Sequence, residues 1–317
     1  MREFKLDDFP QQTQSRLPVT AYPDWSRFLK ALWLHGMSVN NIDPVLVDIH
    51  CDRALMNIKS SMLARNEVPR VRPSAFLACA RQTYFQVCSG ESAEKMPDNI
   101  GPTFAVGHLL HELSYAAVKS ALPEGFSVDT EKVVSMPDWW PEDYTRFNQE
   151  GHVDMWITVD DPFKAAKYLP DDAPKAMLID FKTMGGYSYK KHGKTLWGED
   201  PDGFGYLAQL SVYAAALSES NTEMGAIIAG INRDSLTQPL LPRYIEPEVL
   251  TAEANRVRVA IEMALEKTDP GEEFLIRHEK EAYFYCGRGG RPGYCPFRTK
   301  CAAEPSRETA KGGAHTC

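Results

Sequence analysis

The run Leu178-Ile179-Asp180-Phe181-Lys182-Thr183 places an acid and a lysine two residues apart inside an apolar stretch. On a β-strand, residues two apart point to the same face, so Asp180 and Lys182 would project together. A carboxylate binds a hard cation, and an ammonium beside it can orient a water or stabilise a developing anion. This is the minimal equipment for metal-assisted phosphodiester hydrolysis. A triplet of this kind arises by chance about once in a chain of this length at average residue frequencies. Alone, it reads first as a surface ion pair on an edge strand, so its companions decide its meaning.

Three companions occur in order around it: Gly107-His108-Leu109-Leu110-His111, Gly151-His152-Val153-Asp154 and Gln209-Leu210-Ser211-Val212-Tyr213. Glycine at 107 would let a helix approach a neighbouring backbone, and His111 lies one turn further on the same face. An imidazole among carboxylates suits Mn²⁺ and tolerates Mg²⁺. Asp154 and Asp180, on adjacent strands, could share one or two ions, and the Phe181 carbonyl could add an oxygen. Gln209 and Tyr213, four apart on a helix, could reach a phosphate or orient Lys182. Separately, His111 also fits a satisfied helix histidine, Asp154 a turn residue, and the glutamine and tyrosine an ordinary helix face.

The elements needed to position these groups are legible as periodicity. Helices are expected from Asp24 to Leu34, stopped by Gly36, and from an Asp43 cap and Pro44 to about Ala64. A third, capped by Ser74, carries Cys79 to Phe85, and a fourth runs from about Thr103 to Ala121. Strands follow at Phe126 to Met136, Gly151 to Val159 and Ala176 to Thr183. Then come a helix from Phe204 to Leu217, a strand from Met224 to Asn232, a short one at Arg243 to Ile245, and a helix from Pro247 to Lys267. The expected fold class is α/β. Residues 1–70 form a helical N-terminal extension, 71–280 the core and 281–317 a cysteine-rich tail.

The chain has 317 residues and a net charge of −8, which argues against coating nucleic acid with the whole surface but not against a local groove. No apolar run is long enough to span a membrane, and the N-terminus lacks an apolar signal core, so a cytoplasmic protein without a membrane partner is expected. Seven cysteines in such a chain point to metal or cluster ligation rather than disulfides, above all where Cys286, Cys295 and Cys301 crowd together.

The four ordered elements resemble the RecB-type nucleases of the PD-(D/E)XK superfamily, whose motifs read GxxxH, GxxD, DxK and QxxxY. The resemblance spans about Arg72 to Cys301; Ile179 stands where many superfamily members have proline. It implies a PD-(D/E)XK nuclease core, with His111, Asp154, Asp180 and the Phe181 carbonyl as Mg²⁺ or Mn²⁺ ligands. Lys182 would be the catalytic lysine, with Asp180, Asp154, Gln209 and Tyr213 completing the catalytic set. Glu131 matches a less specific acidic position.

Cys79, in Ser74-Ala75-Phe76-Leu77-Ala78-Cys79-Ala80-Arg81, looks like the first cysteine of the iron–sulfur members of this group. Those members place one cysteine before the core and three after it, here Cys286, Cys295 and Cys301, with Pro296 following the middle one. They include the AddB-type nuclease domains and the CRISPR-associated four-cysteine exonucleases with their phage relatives. The resemblance implies a [4Fe–4S] cluster tying the tail to the N-terminal part. The spacing from Cys286 to Cys295 is wider than in many members, and Zn²⁺ is the alternative occupant.

Between the D-x-K strand and the Q-x-x-x-Y helix, Tyr187, Tyr189, Lys190, Lys191, Lys194 and Trp197 mix lysines with aromatics in a loop begun by Gly185-Gly186. Lysines attract phosphates and aromatic faces stack unpaired bases, so this loop is the expected nucleic-acid contact; a solvated lysine loop anchored by Trp197 fits it equally. Arg288, Arg291, Arg298 and Lys300 offer a second basic patch. The resulting expectation is a metal-dependent deoxyribonuclease, an exonuclease acting on DNA ends or single strands in recombination, repair or CRISPR-type adaptation. No Walker A pattern is present, so unwinding would come from a helicase partner, and a recombination or adaptation partner is equally implied. The alternative is a DNA-binding or scaffolding subunit of such a complex.

Overall fold

A computed structural model describes residues 17, 20–38, 40–63, 70–74, 79–88, 101–195, 205–218, 224–267 and 297. A five-stranded mixed sheet in the order β1-β2-β3-β4-β5 forms its centre. The strands are β1 (Phe126–Ser135), β2 (Glu150–Val159), β3 (Ala176–Met184), β4 (Met224–Asn232) and β5 (Leu241–Ile245). All neighbours are antiparallel except β3 and β4, which run parallel. A parallel pair needs a crossover, and α7 (Tyr206–Ser218) supplies it. β3 as far as Ile179 and β4 as far as Ile231 are apolar on both faces, as strands covered by helices on both sides must be.

One layer is α1 (Trp25–Gly36), α2 (Pro44–Leu63) and α4 (Gly101–Ala121); the other is α7 and α8 (Pro247–Leu265), with α3 (Ala80–Cys88) against α8. The N-terminal helices belong to the main core. Trp25, Phe28, Phe126 and Tyr168 interlock there with ring centroids 5.0–6.1 Å apart. Gly36 sits where α1 crosses α4, and a methyl group on it would overlap the Ala117 carbonyl. Asp24 caps α1 through the Arg27 N–H, and Asp43 accepts from the Val45 N–H at the start of α2.

The β1–β2 ribbon twists sharply. Val128 and Met155 pack into the layer of α1 and α4, whereas Val134 and Val153 join the core beneath α7. Val128 and Val134 on β1, and Met155 and Val153 on β2, are each an even number of positions apart, which an untwisted strand would keep on one face. Between Val128 and Val134, Glu131 adopts φ 52°.

Three local features differ from expectation. Gly186–Thr195 is a helix, α6, rather than a loop, and a short helix, α5 (Pro162–Ala165), follows β2. Helix α3 begins at Ala80, immediately after Cys79, so Ser74 stands in a turn and does not cap it. Among the described residues no helix is long and apolar enough to cross a membrane.

Candidate active site

The site lies where β2 and β3 part. Their ladder runs from Thr158–Ala176 to Met155–Ile179 and stops. At the next positions stand Asp154 and Asp180. Instead of a backbone carbonyl, Asp154 Oδ2 accepts the Phe181 N–H at 2.7 Å. A strand residue directs its N–H and C=O to the same edge, so the Phe181 carbonyl leaves β3 toward this opening too.

Lys182 projects beside Asp180, as the strand period requires. Its Nζ lies 3.0 Å from Asp180 Oδ1 and 3.0 Å from Gln209 Oε1. Asp180 Oδ2 is 2.8 Å from the same nitrogen yet receives no aligned hydrogen bond, so this buried oxygen remains orphaned. The Tyr206 ring stands over the ammonium, centroid at 4.6 Å, a cation–π contact. Tyr206 was missed by sequence reasoning, although its position one turn before Gln209 on α7 was a readable signal.

Gln209 therefore orients the lysine. Tyr213 does something different from reaching a phosphate: it is buried against Gly151, and its hydroxyl engages the His152 backbone. A methyl group at 151 would overlap the Tyr213 ring, which is the physical reason for glycine at the start of G-x-x-D. Gly107 has no comparable role; a methyl there would meet only Thr183 Oγ1 at 3.4 Å, an ordinary contact, and no neighbouring backbone.

His111 reaches the site from α4, its Nδ1 3.6 Å from Asp154 Oδ2, too long for a hydrogen bond. Burial, followed by the charge of Lys182, lowers its pKa to about 4, so the ring is neutral at pH 7 and has a lone pair to offer. Burial pushes Asp154 up to about 7 and Asp180 to about 6, against the opposing pull of Lys182. Lys182 itself is held above its ordinary value by the two carboxylates, which outweigh its burial. Two carboxylates raised this far are under-compensated by one ammonium.

Among the described residues no three His, Cys, Asp or Glu side chains converge closely enough to hold an ion. What is assembled is smaller: two carboxylates, a carbonyl on the same strand edge and one orphaned oxygen, with His111 beside Asp154. That donor set is hard and anionic, the chemistry that a divalent cation of the Mg²⁺ or Mn²⁺ class prefers.

Of the expected nucleic-acid contacts, Tyr187 is 83% exposed, and Lys190 and Lys191 are exposed on the same helix. Tyr189 is not available for stacking: it is buried, and its hydroxyl donates to the Pro239 carbonyl. Lys194 falls on the last turn of α6, and Trp197 lies outside the described residues. Cys79 is buried immediately before α3. Cys286, Cys295 and Cys301, with Arg288, Arg291, Arg298 and Lys300, lie outside the described residues. Phe297, two positions after Cys295, is buried against Phe85 of α3 at 6.0 Å between ring centroids. The Cys88 thiol donates to the Ala264 carbonyl at 3.1 Å.

No protein-family model matches the chain, and no curated protein matches it. Among solved structures the chain is similar to one titled "Crystal structure of SSO0001". The identity is 16% and the TM-score 0.42, over 81% of this chain and 98% of that one. A likeness of that size carries no argument, so function rests on the geometry of the fork.

Proposed function

We propose that this chain is a metal-dependent deoxyribonuclease with a RecB-like PD-(D/E)XK core. The observation that carries the reading is the fork itself. Asp154 and Asp180 face each other where the ladder ends, and Lys182 is fixed on Asp180 by Gln209. The helix–three strands–helix–strand order around that fork supports the PD-(D/E)XK core.

Asp154, Asp180 and the Phe181 carbonyl would hold the cation, with His111 as an added nitrogen donor. A divalent ion there would acidify a water and neutralise charge on a phosphodiester. Lys182 stays protonated, so it donates: its ammonium orients the attacking water and stabilises the extra negative charge of the pentacovalent transition state. It is no general base, because the neighbours that raise its pKa hold its proton. Gln209 and the Tyr206 face limit the directions in which that ammonium can point, which sets the line of attack. Tyr213, seated on Gly151, keeps β2 and α7 in register beneath the site.

Tyr187, Lys190 and Lys191 form an exposed aromatic and basic stripe on α6, which begins two residues after β3 ends. Such a stripe suits an unpaired DNA strand, with a base on the ring and phosphates on the ammonium groups. The contact of Phe297 with α3 supports a tail that returns to Cys79. A cluster held by Cys79, Cys286, Cys295 and Cys301, iron–sulfur or zinc, would fasten that return. Absorption near 400 nm in anaerobically purified protein supports iron–sulfur; a colourless protein with one zinc per chain overturns it.

The deciding assay follows labelled single- and double-stranded DNA with blocked 5′ or 3′ ends, in Mg²⁺ or Mn²⁺. Cleavage should require the ion and vanish in Asp180→Ala and Lys182→Ala. Equal behaviour of wild type and variants sinks the nuclease reading; DNA binding with no ion-dependent cleavage would favour a scaffolding subunit.

A further inference from the structure

Tyr115 lies one turn past His111 on α4 and is completely buried, its ring 5.8–6.4 Å from those of His50, His111 and Phe181. Its hydroxyl donates to Glu131 Oε1 at 2.9 Å, and Asp154 is within its hydrogen-bonding reach as well. The β1–β2 register explains this sharing. Thr130 pairs with Met155 and Lys132 with Val153, which leaves Glu131 and Asp154 as the opposed but unpaired position between them. Two carboxylates thus occupy opposed positions on neighbouring strands, where like charges repel once both are ionised, with one phenol between them. The His152 imidazole, 3.9 Å from Glu131 Oε2, is too distant for a hydrogen bond to relieve that repulsion.

The backbone at Glu131 makes the arrangement informative. Its φ of 52° is disfavoured for any residue with a Cβ, and the ribbon twist alone would be better served by glycine or asparagine. A glutamate there forgoes that ease and places a carboxylate on the Tyr115 hydroxyl.

We propose that Tyr115 and Glu131 are a positioning pair for Asp154, the phenol acting as the donor that lets both carboxylates stand at facing positions and keeps Asp154 on the Phe181 amide. Only its consequence for cleavage rests on the nuclease reading. With the donor removed, the facing charges separate and Asp154 swings off the opening. With the donor and the Glu131 charge both removed, the repulsion goes too and Asp154 returns.

Amide hydrogen exchange on the full chain in chelator tests this without metal or activity. Tyr115→Phe should speed exchange at Phe181 at least about tenfold while Ile179, still laddered to Met155, keeps its protection. Adding Glu131→Gln to Tyr115→Phe should bring Phe181 back to within about threefold of wild type. Unchanged Phe181 exchange in Tyr115→Phe overturns the proposal. So does equal loss at Ile179, which would mean general loosening, or failure of Glu131→Gln to restore protection. Mn²⁺ affinity, measured by titration calorimetry on the same proteins, should weaken in Tyr115→Phe. If Asp154→Ala leaves Mn²⁺ binding unchanged, the metal reading falls, and the Phe181 exchange result still decides the positioning pair.

Discussion

The β2–β3 pair has two ends built on opposite principles. At the closed end, from Thr158–Ala176 to Met155–Ile179, backbone groups pair and the side chains are almost wholly apolar and buried. At the open end the ladder is given up, and Asp154, Asp180 and Lys182 replace it with side-chain bonds and one orphaned oxygen. The closed end supplies stability by burial. The open end spends stability on carboxylates that burial disfavours, the pattern expected where a protein holds groups ready for chemistry.

The largest expected effect would break the open end only. On the proposed nuclease reading, Lys182→Met should lower single-turnover DNA cleavage about 10³-fold, because it would remove a preorganised cation at the reacting phosphate, while circular dichroism remains that of a folded protein. At the closed end, Ile157→Ala removes a fully buried side chain only three positions from Asp154. Urea unfolding should show a loss of about 3 kcal/mol, with cleavage per folded molecule within about threefold of wild type. A closed-end variant that lost activity while staying folded would erase the distinction between the ends.

The third prediction sharpens the comparison through pH. Desolvation in the fold pushes Asp154 up to about 7, whereas an unfolded aspartate has a pKa of about 3.9. Between those values the folded chain holds a proton that the unfolded chain has lost, so this group's contribution falls as pH rises from about 4 to 7 and then levels off. Relative to Asp154→Asn, wild type in chelator should lose on the order of 2–3 kcal/mol across that window, read from unfolding midpoints at each pH. A constant difference would mean that Asp154 is not destabilised by its burial.

Gly151→Ala tests the joint between the ends. The new methyl group would overlap the Tyr213 ring, so a loss of about 2 kcal/mol is expected by thermal melting, together with a fall in cleavage as α7 and Gln209 shift. The smallest effect belongs outside the fork. Tyr187→Ala should weaken single-stranded DNA binding by about five- to tenfold, roughly 1 kcal/mol, with no change in melting temperature.

The order of strands and helices was legible because apolar periodicity carries it. Met224–Asn232 falls at the strand bounds the pattern gives, and the other main strands differ by a residue or two at their ends. Helix α6 was not legible. Its glycine-rich, lysine-rich sequence reads as a loop, and contacts remote in sequence hold it as a helix. The Gly186 N–H donates to Asp234 Oδ2 at 2.6 Å, and Tyr189 is anchored on Pro239. Tyr206 and Tyr115 each stood one helical turn from a motif residue, a signal available but too common to be read alone. The weight of Glu131 came entirely from strand register, which no local pattern encodes.

Residue identity and spacing by themselves settled which groups share a side: Asp180 with Lys182 by the strand period, Gln209 with Tyr213 by the helix turn. They also settled that the chain builds an α/β arrangement, because alternation of periods fixes element types. Tertiary structure alone decided that the β2–β3 ladder stops at Met155 and Ile179, that Asp154 takes over a backbone bond there, and that the ribbon twists to bring Glu131 across from it. Sequence periodicity acts over a turn or a pleat, whereas the end of a ladder depends on how two strands distant in the chain twist against the helices that cover them.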